Sequence, residues 1–453
     1  MLQPRESLSP AQISAEKSRR PRVLIIVQNL PVPLDRRVWQ ECLALRRAGY
    51  GVSVICPRHE GMPAFQVIDG VRIHAFRHYE ASGSALSYAL EFGNGLTRTA
   101  ALSMRVLLSE KFDVIQTCNP PDTMFPLGRF FHLLGKPFVF DQHDLCPEVF
   151  LTRFQGATGS GRSRLLRGLY GLERATYRAA DHVIVTNGSY RAKALARGHV
   201  KPDAVTVVMS TPDESKMRRG QPAPHLRNGR KHLACYLGVM GPQDGLDLLL
   251  QAIAHYVHGL RRTDCHFALL GFGDCYDELR LQAQRLQLSD YVTFTGRADS
   301  TMIRDYLSTA DVGLSPDPES PLNNVSTMNK TLEYMAHELP VVAFDLTETR
   351  ASAAEAAVYV GDNDPAKFAV AVAELMDDPD RRAAMARAGR QRIEGPLSWR
   401  RQAAAYVGIF DGLIGRKARV PVTPLPAPRQ PSYQSMSTVD LTSVEVQPAA
   451  APR

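Results

Sequence analysis

The densest chemical signal in the chain runs from Ser326 to Ala343, STMNKTLEYMAHELPVVA. A polar loop enters an amphipathic helix, and a short apolar strand follows. The first turn of a helix leaves backbone N–H groups without intrahelical partners, and its dipole favours negative charge. Such a start therefore suits an anion, phosphate above all. Lys330 adds a point charge there, and Glu333, one turn on, can accept hydrogen bonds from ribose hydroxyls. The same residues also read as a solvated amphipathic helix with Glu333 on its polar face.

A second group, Asp141-Gln142-His143-Asp144, closes the strand Phe138–Phe140. Histidine is the side chain that changes charge near neutral pH, so His143 at a strand end is either a site residue or a hydrogen-bonded structural one. Asp144 and Glu148 read as structural or as facing an acceptor. Asp362-Asn363-Asp364 looks like a carboxylate pair, but Pro365 and a helical pattern follow it, which makes it a helix-capping loop rather than a metal site. Seven cysteines in no CxxC spacing argue for reduced thiols and against zinc or a disulfide framework.

These residues need a scaffold, and the pattern supplies one. Short apolar runs alternate with helices of 10–15 residues, which implies parallel sheets covered on both faces. Runs at Val23–Val27, Val52–Cys56, Val114–Cys118, Phe138–Phe140, His182–Thr186 and Val205–Val208 belong to a first sheet. Val67–Ile68 and Val71–Ala75 form a hairpin around Asp69-Gly70. After a Pro- and charge-rich stretch, the alternation restarts at Leu233–Leu237 and continues through Phe267–Leu270, Val292–Phe294, Val312–Leu314 and Val341–Ala343. The expected organisation is a disordered lead (1–20), a first Rossmann-like domain (21–210), a linker (211–230) and a second Rossmann-like domain (231–397). A returning helix (398–415) and a disordered tail (416–453) complete it. Two doubly wound domains place a ligand between them, outside the carboxyl ends of the strands.

Apolar residues at 44% and charged residues at 22% fit a globular chain and exclude a fibrous or wholly disordered one. The charge is unevenly distributed. Residues 1–230 hold 32 Lys+Arg against 19 Asp+Glu (net +13), and residues 231–453 hold 22 against 27 (net −5). A helix from Arg162 carries Arg164, Arg167, Arg174 and Arg178 on one side, with Leu165, Leu166, Leu169 and Leu172 on the other. The Arg side is either solvated or set against anionic headgroups or a lipid-diphosphate acceptor. No nucleic-acid motif accompanies the charge. No run approaches the roughly 18 apolar residues of a spanning helix, and no signal peptide is evident, so the expected location is the cytoplasm, peripheral on the inner face of the plasma membrane.

The Ser326–Ala343 segment resembles the donor-site motif of GT-B glycosyltransferases of family 4, especially the branch from exopolysaccharide and O-antigen clusters. The entry loop Leu34-Asp35-Arg36-Arg37-Val38-Trp39, the loop Asp141–Glu148, the pair Ala180-Asp181 and Ala310-Asp311, and the loops Leu270–Gly273 and Phe294–Arg297 are similar in order and spacing. The resemblance covers about residues 22–415. It implies a GT-B fold in which two doubly wound Rossmann-like domains face one another across a cleft. It implies that Glu333 binds ribose, that Thr327, Met328 and Asn329 present N–H groups to the donor, and that Gly296 and Arg297 hold the base. His143 would bond the transferred sugar or the acceptor hydroxyl, with Asp144 and Glu148 on the acceptor side. Retention of anomeric configuration follows from the family, with the nucleotide-sugar as substrate and no metal or other cofactor. The expected acceptor is a glycan or a polyprenyl-diphosphate-linked glycan.

Two departures stand out. The family's first glutamate, eight positions before Glu333, is Val325 here, and Asn323, Asn324 or Glu319 are candidate replacements. The diphosphate-binding Arg and Lys are replaced by Val239 and Asp244, which leaves Lys330, Arg297 and helix N-termini to attract the donor. These departures keep open a catalytically degenerate scaffold of a polysaccharide assembly complex, and the resemblance also leaves another GT-B chemistry, a nucleotide-sugar epimerase, as an alternative.

Overall fold

The computed structural model describes residues 20–77, 85–153 and 160–415. The expected tail (416–453) and the expected lead apart from Arg20 lie outside them. The first stretch runs β1 (Arg22–Ile26), α1 (Arg36–Arg47), β2 (Gly51–Arg58), β3 (Phe65–Ile68) and β4 (Val71–Arg77). It continues with α2 (Ala85–Ser109), β5 (Val114–Cys118), α3 (Phe125–Leu133), β6 (Phe138–Gln142) and α4 (Cys146–Arg153). Then come α5 (Ser160–Ala179), β7 (His182–Val185), α6 (Gly188–Gly198) and β8 (Val205–Val207). The sheet order is β3-β4-β2-β1-β5-β6-β7-β8. Asp69 and Gly70 take positive φ values of 49° and 76°, which gives the β3–β4 hairpin the expected turn. Asp35 caps α1 by accepting from the Val38 N–H.

The second stretch opens with β9 (His232–Leu237), α7 (Leu246–Ala254), β10 (Cys265–Leu270), α8 (Tyr276–Arg285) and β11 (Val292–Gly296). Next are α9 (Ser300–Thr309), β12 (Val312–Ser315), α10 (Asn329–Ala336), β13 (Val341–Phe344), α11 (Thr347–Ala353) and β14 (Ala357–Val360). The helices α12 (Pro365–Asp377), α13 (Pro379–Glu394) and α14 (Trp399–Leu413) end it. The strand order is β11-β10-β9-β12-β13-β14, with every neighbouring pair parallel. The inner strands β9, β10, β12 and β13 are buried along their whole length, which explains their near-continuous apolar runs.

Three expectations need correction. Cys146–Arg153 is a helix rather than a continuation of the strand-end loop, because Pro147 occupies its first turn, where a missing N–H costs nothing. The elements α11 and β14 were not anticipated. On α5 the four arginines are exposed as expected, but Leu165 is 54% exposed and so leaves the buried side. Leu166, Leu169 and Leu172 are half-buried, and the fully buried positions are Glu173, Thr176 and Tyr177.

By compactness the chain divides into two units. One comprises Met1–Asp141, Ala179–His182 and Val407–Arg453, and the other Gln142–Arg178 and Val183–Tyr406. The stretch 211–230 is fastened down by Arg227, which pairs with Asp311 at 2.7 Å, and by Arg219, which donates to the Ser308 carbonyl. Helix α14 begins with the Trp399 N–H on Glu214, and Asp411, near its end, accepts from the Tyr50 hydroxyl at 2.6 Å.

Candidate active site

In the second sheet, successive strands run outward from β9 in one direction (β10, β11) and from β12 in the other (β13, β14). Where the order reverses, the loops leaving β9 and β12 meet at the carboxyl ends of the strands, the place where open α/β sheets bind ligands in a crevice. Two glycines show how closely the backbone packs there. A Cβ on Gly271, at φ +147°, would stand 1.8 Å from the Gly238 carbonyl oxygen, and one on Gly245, at φ +67°, 2.1 Å from that of Pro316. Only glycine fits either position.

Into this crevice the structure brings Lys330 from α10, Asp244 from the β9 loop and Asp317 from the β12 loop. Lys330 Nζ donates to Asp317 Oδ1 at 2.5 Å and to Asp244 Oδ1 at 3.5 Å, and it lies 4.9 Å from the Tyr236 ring centroid. All three charged groups are largely buried. Burial works against the Lys330 charge, but the two carboxylates outweigh it and raise the ammonium pKa. Burial pushes the Asp244 carboxyl up, with Lys330 opposing and Asp317 adding. The unaided cation that the sequence suggested is therefore already held by two acids. Asp244 does more than fail to supply a positive charge. It contributes a negative one.

The loop ahead of α10 is held by Asn187. Its Nδ2 donates to the Val325 carbonyl at 2.9 Å and to Thr327 Oγ1 at 3.1 Å, while its Oδ1 caps α6 by accepting from the Tyr190 N–H at 2.8 Å. The Tyr190 hydroxyl lies 3.4 Å from Ser326 Oγ, and Glu348 accepts from the Ser189 N–H. Met328 stands at the N-cap of α10 in extended conformation and provides no side-chain cap. The helix start is thus fixed in place with its N–H groups uncapped by any side chain, and Asn329 beside it is exposed. Glu333 is buried one turn on, and its carbonyl accepts from the buried His337 imidazole at 2.9 Å.

The residues considered as substitutes for the family's first glutamate are structural ties in this loop. Asn323 Nδ2 donates to the Gln243 and Pro318 carbonyls at 2.9 Å each, and Asn324 Oδ1 accepts from the Thr347 N–H. The Glu319 side chain is exposed.

Gly296, at φ +69°, bridges Gly271 at the end of β11. The Arg297 guanidinium lies 5.3 Å from the centroid of the half-exposed Phe272 ring, which in turn packs on Tyr276 at 4.9 Å. Together they form an aromatic and cationic ledge. His143 and Asp144 follow β6 at the carboxyl end of the first sheet, both partly exposed. Glu148 lies within a buried ion cluster, 3.0 Å from Lys193 and bonded to Arg197, which also faces Glu173 at 3.5 Å. Burial opposes its ionisation, yet these cations hold the carboxyl below its ordinary range. Asp364 caps α12 by accepting from the Ala366 and Lys367 N–H groups, as the capping-loop reading required.

Sequence reasoning missed Asp317 and Asn187. Asp317 could have been found as an acid two residues past a buried strand at the switch point, and Asn187 as an N-cap residue directly after a strand.

Comparison with known proteins now bears on this crevice. Residues 231–378 match the family described as Glycosyl transferases group 1, and residues 34–210 match the Glycosyl transferase 4-like domain. The chain belongs to the GT-B glycosyltransferases of family 4. This glycosyltransferase is similar to the D-inositol 3-phosphate glycosyltransferase of Thermobispora bispora, at 25% identity over 64% of this chain and 68% of that protein. In fold it is similar to sucrose-phosphate synthase from Thermosynechococcus elongatus, with TM-score 0.65, 19% identity, and coverage of 88% of this chain and 100% of that one. Anabaena HepE, solved with UDP and glucose, aligns at TM-score 0.63 and 15% identity over 87% of this chain and 100% of that one.

Proposed function

We propose that this glycosyltransferase moves a sugar from a nucleotide-sugar donor to a glycan or a lipid-linked glycan in surface polysaccharide synthesis, with retention of anomeric configuration. The observation that carries the reading is the fastened, side-chain-uncapped start of α10 at the switch point of the second sheet, beside Lys330 and one turn ahead of buried Glu333. A diphosphate at that helix start meets oriented N–H groups and the helix dipole. It can draw Lys330 away from the more distant of its carboxylates. Glu333 accepts from the ribose hydroxyls, the Phe272–Arg297 ledge and the Gly296 backbone take the base, and His143 bonds the sugar or the acceptor hydroxyl. The residues named here contain no evident nucleophile for double displacement, so attack on the face of the departing phosphate fits the retention that the family implies. The chain works in the cytoplasm, peripheral to the membrane, with the nucleotide-sugar as substrate and no metal.

Calorimetry against UDP, GDP and their sugars tests this reading, with binding of at least one expected. Glu333→Ala should lower donor affinity or turnover at least about tenfold, because charged hydrogen bonds contribute about 1.5–3 kcal/mol each. Failure of every nucleotide to bind, or full activity of the variant, would refute the assignment. The anomeric configuration of the product, read by NMR, decides retention.

A further inference from the structure

In the first unit, helices α2 and α3 lie side by side. Thr99 Oγ1 of α2 reaches Met124 Sδ, just ahead of α3, at 3.8 Å, and the rings of Phe112 and Phe131 stand 5.1 Å apart. The inner side of α3 buries Leu127, Gly128 and Phe131. Its outer side presents large apolar groups to solvent: Phe130 is 44%, Leu133 79% and Leu134 49% exposed. Their i, i+3, i+4 spacing puts them on one stripe. The outward stripe of α2 reads Arg98, Ala101, Arg105 and Leu108, the last 75% exposed. Isolated exposed leucines are ordinary, but three such groups on one stripe of α3, with Leu108 on the neighbouring α2, are a concentration that calls for a partner.

Between residues 98 and 136 the exposed charges have one sign. Arg98, Arg105, Lys111 and Arg129 are exposed. The acids between residues 98 and 136 are Glu110, Asp113 and Asp122, and each is engaged inward. Glu110 accepts from Ser53 at 2.5 Å and lies 3.0 Å from His74. Asp113 accepts from the Arg22 N–H at 2.8 Å, and Asp122 from Asn119 at 2.9 Å. Asp181 of the same unit faces His132 at 2.9 Å and accepts from the Phe138 N–H. Apolar prongs accompanied by exposed cations suit an interface with hydrocarbon below and anions at its surface. A second copy of the chain would set these cations against themselves.

We propose that the α2–α3 face docks on the anionic surface of a lipid bilayer. Leu108, Phe130, Leu133 and Leu134 enter the boundary between headgroups and acyl chains, and Arg98, Arg105, Lys111 and Arg129 meet the headgroup phosphates. The purpose of the contact rests on the lipid-linked acceptor proposed above, whereas its physics does not. These docking groups lie on or directly after α2 and α3, whereas the arginines that the sequence drew attention to lie on α5.

Co-sedimentation of the full chain with vesicles tests it, using phosphatidylcholine alone and phosphatidylcholine with about a third phosphatidylglycerol. Binding to the anionic vesicles, weakened by salt and much lower on phosphatidylcholine, is expected. The doubles Leu133→Glu/Leu134→Glu and Arg105→Glu/Lys111→Glu should each lower the partition coefficient about tenfold or more. Both should leave nucleotide binding and the thermal unfolding midpoint unchanged. Absence of sedimentation with anionic vesicles, or unchanged partitioning of both variants, would overturn the proposal. So would a solution dimer that dissociates in either variant, because it would assign the face to a second copy. A chain that binds vesicles but no nucleotide would sink the donor-site reading while leaving this one standing.

Discussion

Two of the buried cations set between carboxylates, Arg37 and Lys330, are held in clusters that are built differently. In the first unit, Arg37 of α1 pairs with Asp141 at 2.8 Å and with Glu41 at 3.2 Å. Gln116 adds an amide to both acids, at 3.0 Å to Glu41 and 3.2 Å to Asp141. Burial works against the guanidinium, but Asp141 and Glu41 raise its pKa further, and the acids are fully buried. In the second unit, Lys330 holds Asp317 closely and Asp244 at 3.5 Å. A guanidinium is a rigid planar fork that uses both edges at once, whereas an ammonium is a point charge on a flexible stem. The first arrangement fixes a sheet. The second leaves a cation that can exchange a long, weak partner for an incoming anion.

That contrast can be broken from either side. The largest effect is expected from Arg37→Met, which strands two buried carboxylates. Removal of one partner from a buried pair costs about 3–5 kcal/mol, so urea denaturation should show a loss of that order, and a loss below about 1 kcal/mol would remove the distinction. Lys330→Met should destabilise less, because Asp244 holds the ammonium only at 3.5 Å, but it should weaken nucleotide binding about tenfold or more. Calorimetry and denaturation on the same sample separate the two losses. The smallest effect is expected from Asp244→Asn, with nucleotide affinity raised a few-fold, on the order of 1 kcal/mol or less. This substitution also has a pH signature. Because the folded Asp244 pKa is raised, its contribution to stability is fully present below the unfolded value of about 3.9 and is lost as pH rises through the folded one. The variant should lack that acid-side gain, and a stability–pH curve unchanged from the parent would place the titration elsewhere in the cluster.

Much of the scaffold was legible in the sequence because buried parallel strands are written as short apolar runs and their helices as 3.6-residue periods. The failures have local causes. Thr347–Ala353 is a seven-residue helix without an apolar repeat, and β14 is a four-residue strand at the sheet margin. The donor-loop residues could be singled out because they are contiguous, as could Glu333 and Lys330. Their partners could not. Asp244 and Lys330 are 86 residues apart, Arg37 and Asp141 104, and Asn187 and Thr327 140. A sequence shows which groups can carry charge, and only the fold shows which charges are already spoken for. The excess of +13 in residues 1–230 illustrates this, since Arg37 and Arg197 are held by buried acids while Arg105, Lys111 and Arg129 face solvent.

Asn187 divides its amide between two tasks, with the oxygen given to the start of α6 and the nitrogen to the loop ahead of α10. The residue after it is Gly188, and asparagine before glycine is the dipeptide most prone to spontaneous loss of ammonia. Such ageing would turn the amide into a carboxylate. On this route the Gly188 nitrogen displaces the ammonia to close a succinimide, which water opens mainly to isoaspartate, so Val325 and Thr327 would lose their donor and the cap of α6 would be disturbed as well. An aged molecule would have the donor loop and the start of α6 loosened together, and the near-complete burial of Asn187 works against that change.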